Sequence, residues 1–417
     1  MRRRDDDDDE MGRGMNGRPD TFTRGSGAGG YTASVVGHPE YVHYNRARDT
    51  PHDADLLQLN IQLKPVVHAN PKFTNGATTT TTTTTTTPTR AWVTLLTCKS
   101  YIPGAVLLAH SLQKQHSVYP LIILYTPSLP HPASHRAADP PQQRHLIAAR
   151  FEDTWTKLRI FELCEYERLV FLDADMLIRG NMDELFDLPL PGRDWIAANH
   201  CCVCNLDGDE WAPADWVPAN CAYTGLTDPS CLSAPAPVPA AGAGPPTHAL
   251  LNSGLFVCTP YAALWDEVRR FLATDPRVEH FIFPDQDLLA AFFRGRWRPL
   301  GYQYNALKTM RYWHPAMWRD DEVRNLHYIV DKPWRARVGD DGVAGYLGKD
   351  GETHRWWWRE YERWEGERER MGERMVLEMV KGCSEALVWG GRGEGEGEGA
   401  RRLENAEEDA SGISKAR

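Results

Sequence analysis

Short apolar runs rich in β-branched residues alternate along this chain with segments of helical spacing, and that alternation leaves few architectures open. Ala91-Trp-Val-Thr-Leu-Leu-Thr97, Leu121-Ile-Ile-Leu-Tyr125, Arg168-Leu-Val-Phe-Leu172, Trp195–Ala198 and Leu255–Cys258 read as strands. Pro103 opens a segment with Val106, Leu107, Ala109, His110 and Leu112 on one stripe. Thr156–Glu165 repeats the helical spacing through Leu158, Ile160, Phe161 and Leu163, and Tyr261–Leu272 follows the last run. Runs that are apolar throughout predict strands buried on both faces. The expected fold is therefore α/β, with a mainly parallel central sheet covered by helices. In such sheets ligands bind beyond the carboxyl ends of the strands.

Composition marks off the rest. Residues 1–88 carry a run of Arg, then Asp5–Asp9, then a Gly- and Ser-rich mixture, and close on an unbroken Thr tract, Thr78–Thr87. Like-charge blocks and such tracts stay solvated, so we read a disordered extension with a linker, interrupted by one strand pattern at Leu57, Leu59, Ile61 and Leu63. Residues 89–337 form the expected catalytic domain, with 205–248, dense in Ala, Pro, Gly and Asp, as a surface insertion. Residues 338–389 carry Trp356, Trp357, Trp358, Trp364 and Leu377 at helical spacings and read as an amphipathic segment docked on the core. Residues 390–417 read as a disordered tail.

The end of the third strand carries the strongest chemical signal. Asp173-Ala174-Asp175 follows Leu172 directly, and side chains two apart on an extended chain point the same way. Two hard oxygens facing one point suit Mg²⁺ or Mn²⁺. Asp53-Ala54-Asp55 and Asp207-Gly208-Asp209 share the spacing, but they fall in the extension and the insertion, and we read them as solvated.

Several motifs then agree in order. Thr156-Lys157-Leu158 leads to Leu169-Val-Phe-Leu-Asp-Ala-Asp-Met-Leu-Ile178 and Asn181-Met-Asp-Glu-Leu-Phe186; Leu251-Asn-Ser-Gly-Leu-Phe256, Pro284-Asp-Gln-Asp287 and His327-Tyr-Ile-Val-Asp-Lys-Pro-Trp334 follow. Together they resemble glycosyltransferase family 8, the retaining enzymes that include glycogenins and galactinol synthases. The resemblance covers roughly Ala91 to Trp334 apart from the insertion. It implies a single nucleotide-diphospho-sugar transferase domain of the GT-A, Rossmann-like kind. It implies a UDP-sugar donor and Mn²⁺ (or Mg²⁺) held by Asp173, Asp175 and His327. Leu95, Thr97, Tyr101, Lys157, Asp173, Ala174, Asp175, Asn252, Ser253 and Lys332 would bind the donor, with Tyr101 on the uridine loop and Asn252-Ser253 in a turn near the sugar. Asp285 and Gln286 would lie nearest the reacting carbon. A metal there would act as a Lewis acid on the leaving diphosphate, with Lys157 and Lys332 stabilising its charge.

Two departures stand out. Four residues separate His327 from Lys332 and none is Gly, where the family often places a Gly and a longer spacing. Cys98-Lys99 replaces the polar pair common in glycogenins. Tyr304–Pro315 resembles the corresponding tract of galactinol synthases, which move galactose from UDP-galactose to myo-inositol. We therefore expect a polyol or glycan acceptor; self-glycosylation at Tyr312, or an inactive nucleotide-sugar-binding module, are the alternatives.

Other classes fit less well. A net charge of −10 without a basic stripe argues against nucleic acid. Gly-x-Gly-x-x-Gly is missing after the first strand, against a dinucleotide oxidoreductase. A nucleotidyltransferase would share the acidic pair but release pyrophosphate. Nine Cys, irregularly spaced, do not describe a disulfide scaffold. Cys201, Cys202 and Cys204, with His200 beside them and Cys221 and Cys231 downstream, fit no strong zinc spacing and read as free thiols, with zinc the lesser alternative. No apolar window spans a membrane. A cytoplasmic protein is expected, with a homodimer as a candidate assembly.

Overall fold

The computed structural model describes residues 41–42, 89–125, 149–240 and 243–388. The strand pattern at Leu57–Leu63, the Thr tract, Asp53, Asp55 and the tail after 388 lie outside them.

A seven-stranded sheet organises the described residues, in the order β1 (Tyr41–Val42), β3 (Leu121–Tyr125), β2 (Arg90–Leu96), β4 (Arg168–Leu172), β7 (Leu251–Cys258), β6 (Ile196–His200), β8 (Trp297–Pro299). Strands β2, β3, β4, β6 and β8 run one way; β1 and β7 run the other. The sheet is mixed and mainly parallel. Leu169 to Leu172 of β4 are fully buried at its centre. Leu169 and Phe171 face a layer containing Phe161, Val268, Leu288 and Phe293, while Val170 and Leu172 face Leu108, Ala109 and Leu112. Both faces being covered, the apolar run has no polar partner positions to alternate with.

Helix α1 (Ile102–Lys114) is buried without interruption from Ile102 to Leu112. It needs two apolar faces because it sits between two layers. Leu108, Ala109 and Leu112 pack on the sheet; Ile102, Val106 and Leu107 pack on the Trp-rich helix α4 (Gly351–Met371). Trp356, Trp357, Trp358, Tyr361 and Trp364 of α4 are buried there, and His110 and Lys114 of α1 both reach Glu360. Helices α2 (Ala262–Thr274) and α3 (Pro284–Phe292) cover the opposite face of the sheet. The helical spacing read over Thr156–Glu165 falls largely in a segment, Ala149–Glu162, that winds as 3₁₀ turns. No helix among the described residues is long and apolar enough to cross a membrane.

The stretch 205–248 is not wholly superficial: Cys221, Tyr223 and Cys231 enter the core. Asp207, read as solvated, is also buried, with its side chain 2% exposed and paired to Lys349. A charge there needs a counter-ion, and the downstream loop supplies one.

A second, three-stranded sheet sits beside the first. Its strand β5 (Met176–Ile178) starts immediately after the acidic pair, pairs antiparallel with β10 (Asn325–His327), and β10 runs parallel to β9 (Ala306–Leu307). This pairing sets His327 opposite Met176, so the imidazole arrives next to Asp175. Lys308, following β9, is wholly buried with its ammonium 2.7 Å from both Asp331 and Asp350, and His354 caps Asp331 at 3.3 Å. Removing one member of a buried charge set leaves the others uncompensated. Lys308→Met is expected to cost about 3 kcal/mol of stability, read as a lower urea midpoint at unchanged slope; a loss below about 1 kcal/mol would mean that solvent screens the set.

Candidate active site

Strand polarity builds the site. Because β7 runs against β4, the first residues of β7 lie beside the last of β4: Leu172 pairs with Leu255, and Asp173 N–H donates to Gly254 O at 2.8 Å. Asn252 and Ser253 are thus brought to the acidic pair as part of a strand, not as the turn expected from sequence. Ser253 Oγ donates to Asp285 Oδ2 at 2.7 Å, and Lys157 Nζ, 4% exposed, lies 2.5 Å from Asp285 Oδ2 and 3.0 Å from Asp173 Oδ1. On the other side Lys332 Nζ sits 2.5 Å from Asp175 Oδ2 and donates to Tyr328 O at 2.7 Å. His327 Nε2 lies 3.3 Å from Asp175 Oδ1 and 3.8 Å from Asp173 Oδ2.

These neighbours set the charge states. Burial opposes the Lys157 ammonium, but Asp173 and Asp285 outweigh it and hold the group charged well above its ordinary range. Burial likewise opposes the Asp175 carboxylate, and Lys332 and His327 outweigh it, pulling its pKa well below the usual range. Asp173 is pushed up by burial against the pull of Lys157, with Asp175 adding to the rise.

The protonation pattern of His327 follows from a chain of amides. Gly254 N–H donates to Asn252 Oδ1 at 3.0 Å, which fixes that oxygen as an acceptor. Asn305 Nδ2 donates to the same oxygen at 2.8 Å, so Asn305 Oδ1 faces His327 Nδ1 at 2.9 Å. Nδ1 must then donate to Asn305, which leaves Nε2 as the ring nitrogen that faces the two carboxylates. Asn252 Nδ2 in turn donates to Gln286 Oε1 at 3.2 Å. There is no room for a side chain in this relay: a Cβ on Gly254 would stand 2.5 Å from His327 Cε1.

Two carboxylate oxygens and an imidazole nitrogen, all within 4.8 Å of one another, make a donor set that fits a divalent cation of the Mn²⁺ or Mg²⁺ kind. Asp331, Asp350 and His354 form another such group, but Lys308 already supplies its cation.

The remaining residues expected at the site are placed as follows. Tyr101 stands edge-on to Trp334 at 5.7 Å, with Lys332 Nζ 5.7 Å from its ring centre. Ala174 is buried, and its carbonyl lies where a Cβ on Gly104 would come within 2.5 Å, so α1 can approach the acidic loop only with glycine there. Leu95 lies next to the end of β2 and packs on the core, and Thr97 is the residue that follows the strand. The shortened His327–Lys332 segment still delivers Lys332 to Asp175. It does so through a left-handed backbone at Val330, φ 65°, where a β-branched residue is strained.

Residues 137–337 match the profile of glycosyl transferase family 8. Galactinol synthase 2 of Arabidopsis thaliana is 29% identical over 269 residues, covering 59% of this chain and 73% of that protein. Galactinol synthase 1 of Solanum lycopersicum is 29% identical over 262 residues, covering 59% and 74%. The chain carries a family 8 glycosyltransferase domain. Among solved structures, the apo form of the bifunctional glycosyltransferase WbbM is 15% identical with a TM-score of 0.40; the match covers 71% of this chain but only 54% of that one. That likeness adds nothing to the assignment.

Sequence reasoning missed Asn305 in this family 8 site, although it stood in the tract Tyr304–Pro315 singled out for other reasons. A lone Asn gives no signal until the strand pairing sets it against His327. Val330→Gly should relieve the left-handed backbone and stabilise the domain by about 1 kcal/mol. The urea midpoint should rise at unchanged slope; a fall would show that the Val330 side chain makes a contact worth more than the strain.

Proposed function

We propose that the chain moves a hexosyl group, with retention, from a UDP-sugar to the hydroxyl of a small polyol such as myo-inositol or of a glycan. The observation that carries this reading is that His327 Nε2 faces Asp173 and Asp175 while Nδ1 is taken by Asn305, since it makes of an acidic pair a three-donor cation site at the end of β4. Asp173, Asp175 and His327 would hold Mn²⁺ or Mg²⁺, which when bound supplies Lewis-acid charge to the leaving diphosphate. Apart from His327, three carboxylates against two ammonium groups leave the cluster one net negative charge. A divalent ion reverses that sign, as a diphosphate requires.

The chain's own residues divide the remaining work. Lys332, on the segment after β10, is placed to meet developing phosphate charge. Lys157 orients Asp173 and Asp285 together. Asp285 has its Oδ2 committed to Lys157 and Ser253, which suits positioning of the sugar; Gln286, on the first turn of α3, is held by Asn252. In the transfer, the bond from the anomeric carbon to the β-phosphate oxygen breaks with its electron pair on phosphate. The acceptor oxygen forms the new bond and gives up its proton to the departing phosphate oxygen.

An acceptor surface adjoins this point. Phe283, next to Pro284-Asp285, stacks on Trp216 with ring centres 5.9 Å apart at 12°, and Trp211, 43% exposed, stands edge-on to both at 5.8 Å. Aromatic faces of this kind bind the C–H faces of a ring polyol or sugar. Tyr312 is less suited to be the acceptor. Its hydroxyl meets Asp207 at 3.4 Å, Lys349 lies over its ring, and burial with the nearby Asp350 and Asp207 pushes its pKa up.

UDP-galactose and UDP-glucose, each with myo-inositol and Mn²⁺, test the reading. An α-linked product from one donor, its configuration read by NMR, supports it; a product on Tyr312, or pyrophosphate released from a nucleoside triphosphate, overturns it. Asn305→Ala should raise the Mn²⁺ concentration for half-maximal rate by about 10- to 100-fold, because it frees the ring that it orients. Trp216→Ala should raise the KM for myo-inositol by about 3- to 10-fold, the scale of one aromatic contact, with a smaller change in kcat; an effect on kcat alone would place the acceptor elsewhere.

A further inference from the structure

A second donor cluster lies outside the acidic site. Cys202 and Cys204 follow β6, Cys221 comes from the 205–248 stretch, and His314 ends the short helix Met310–Trp313 more than 90 residues further along. All four are buried, and their sulfur and nitrogen atoms lie within 4.8 Å of one another. His314 Nε2 is 3.3 Å from Cys202 Sγ, 3.4 Å from Cys204 Sγ and 3.8 Å from Cys221 Sγ, and Cys202 Sγ is 3.9 Å from Cys221 Sγ.

One imidazole nitrogen can take part in a single hydrogen bond, so three sulfurs converging on it exceed what hydrogen bonding uses. Tetrahedral zinc accounts for the spacing. With Zn–S near 2.3 Å and Zn–N near 2.0–2.1 Å, the edges of the tetrahedron are about 3.8 Å between sulfurs and about 3.6 Å from sulfur to nitrogen. The cysteines are free thiols, as expected, but three of the five clustered ones share a centre, with His314 and not with the neighbouring His200. The His200 Nε2 contacts Ala236 O at 2.7 Å; Cys201 meets Gln286 and Cys231 meets Met317 O.

We propose that Cys202, Cys204, Cys221 and His314 bind one structural Zn²⁺. Soft thiolates with one imidazole select zinc over the Mn²⁺ suited to the acidic pair. Four protein ligands leave no open position, so the ion is structural and not catalytic. Binding forms three Zn–S bonds and one Zn–N bond and releases the three thiol protons to solvent. The centre pins the start of the 205–248 stretch to the tract after β9. It thereby fixes the loops that carry Trp211, Trp216 and Asp207, and it holds Cys201 against Gln286.

The test is metal analysis of the full chain, purified without chelator and dialysed against excess Mn²⁺. About one zinc per chain should remain, and should remain equally in Asp173→Asn and Asp175→Asn, whereas Cys204→Ser and His314→Ala should lose it. Should those two variants fail to fold, native thiol titration of the wild type decides: adding a chelator should expose three further reactive thiols, and Co²⁺ in place of zinc should show thiolate-to-metal charge-transfer bands. Zinc-free protein with thiols indifferent to chelator, a Cys202–Cys221 disulfide, or zinc lost with the aspartate variants would each overturn the proposal.

Discussion

Two carboxylates at the end of a strand buried on both faces cannot stand without counter-charges, and this domain draws those charges from different layers. Lys157 comes from the 3₁₀ segment on one face of the sheet and joins Asp173 to Asp285 at the head of α3. Lys332 comes from the segment after β10 and joins Asp175 to Tyr328 O. Two residues on, Trp334 packs on Trp357 of α4 and donates to Ser100 O, just before α1. The ion pairs that neutralise the acidic end of β4 are therefore the contacts that dock the layers. Site and fold are one network.

Within that network the polarity of β7 matters most. Running against β4, it presents Asn252, Ser253 and Gly254 at the acidic end, and the Gly254 amide starts the chain of hydrogen bonds that ends on His327. A backbone group whose orientation cannot change thus decides which imidazole nitrogen donates to Asn305 and which faces the carboxylates. Side-chain amides alone would leave that choice open. The same chain reaches Gln286, so the proposed cation site and the residues proposed to meet the sugar share one frame.

The legible parts of the molecule were those set by local pattern. Strands β2, β3 and β4, helix α1 and the Trp-bearing helix α4 show their burial in spacing alone, and Asp173 and Asp175 are marked by their position at a strand end. The parts that escaped depend on tertiary contact. Asn252 and Ser253 were expected in a turn because the family resemblance implied one, whereas they lie within β7, with Ser253 against Asp285. Asp207 looked solvated because its partners, Lys349 and Tyr312, are more than 100 residues away. Asn305 and His314 carry no signal in one dimension, since strand pairing and the end of a short helix bring each to its partners.

The central claim is that His327 Nε2, with Asp173 and Asp175, forms the cation site of this family 8 domain. Crystals grown with Mn²⁺ and UDP, measured at the manganese absorption edge, test it most directly. The account predicts one strong anomalous peak bounded by Asp173, Asp175 and His327 Nε2, with the diphosphate on its open side. A peak at Asp331, Asp350 and His354, or UDP bound with no manganese beside Asp173 and Asp175, would contradict it.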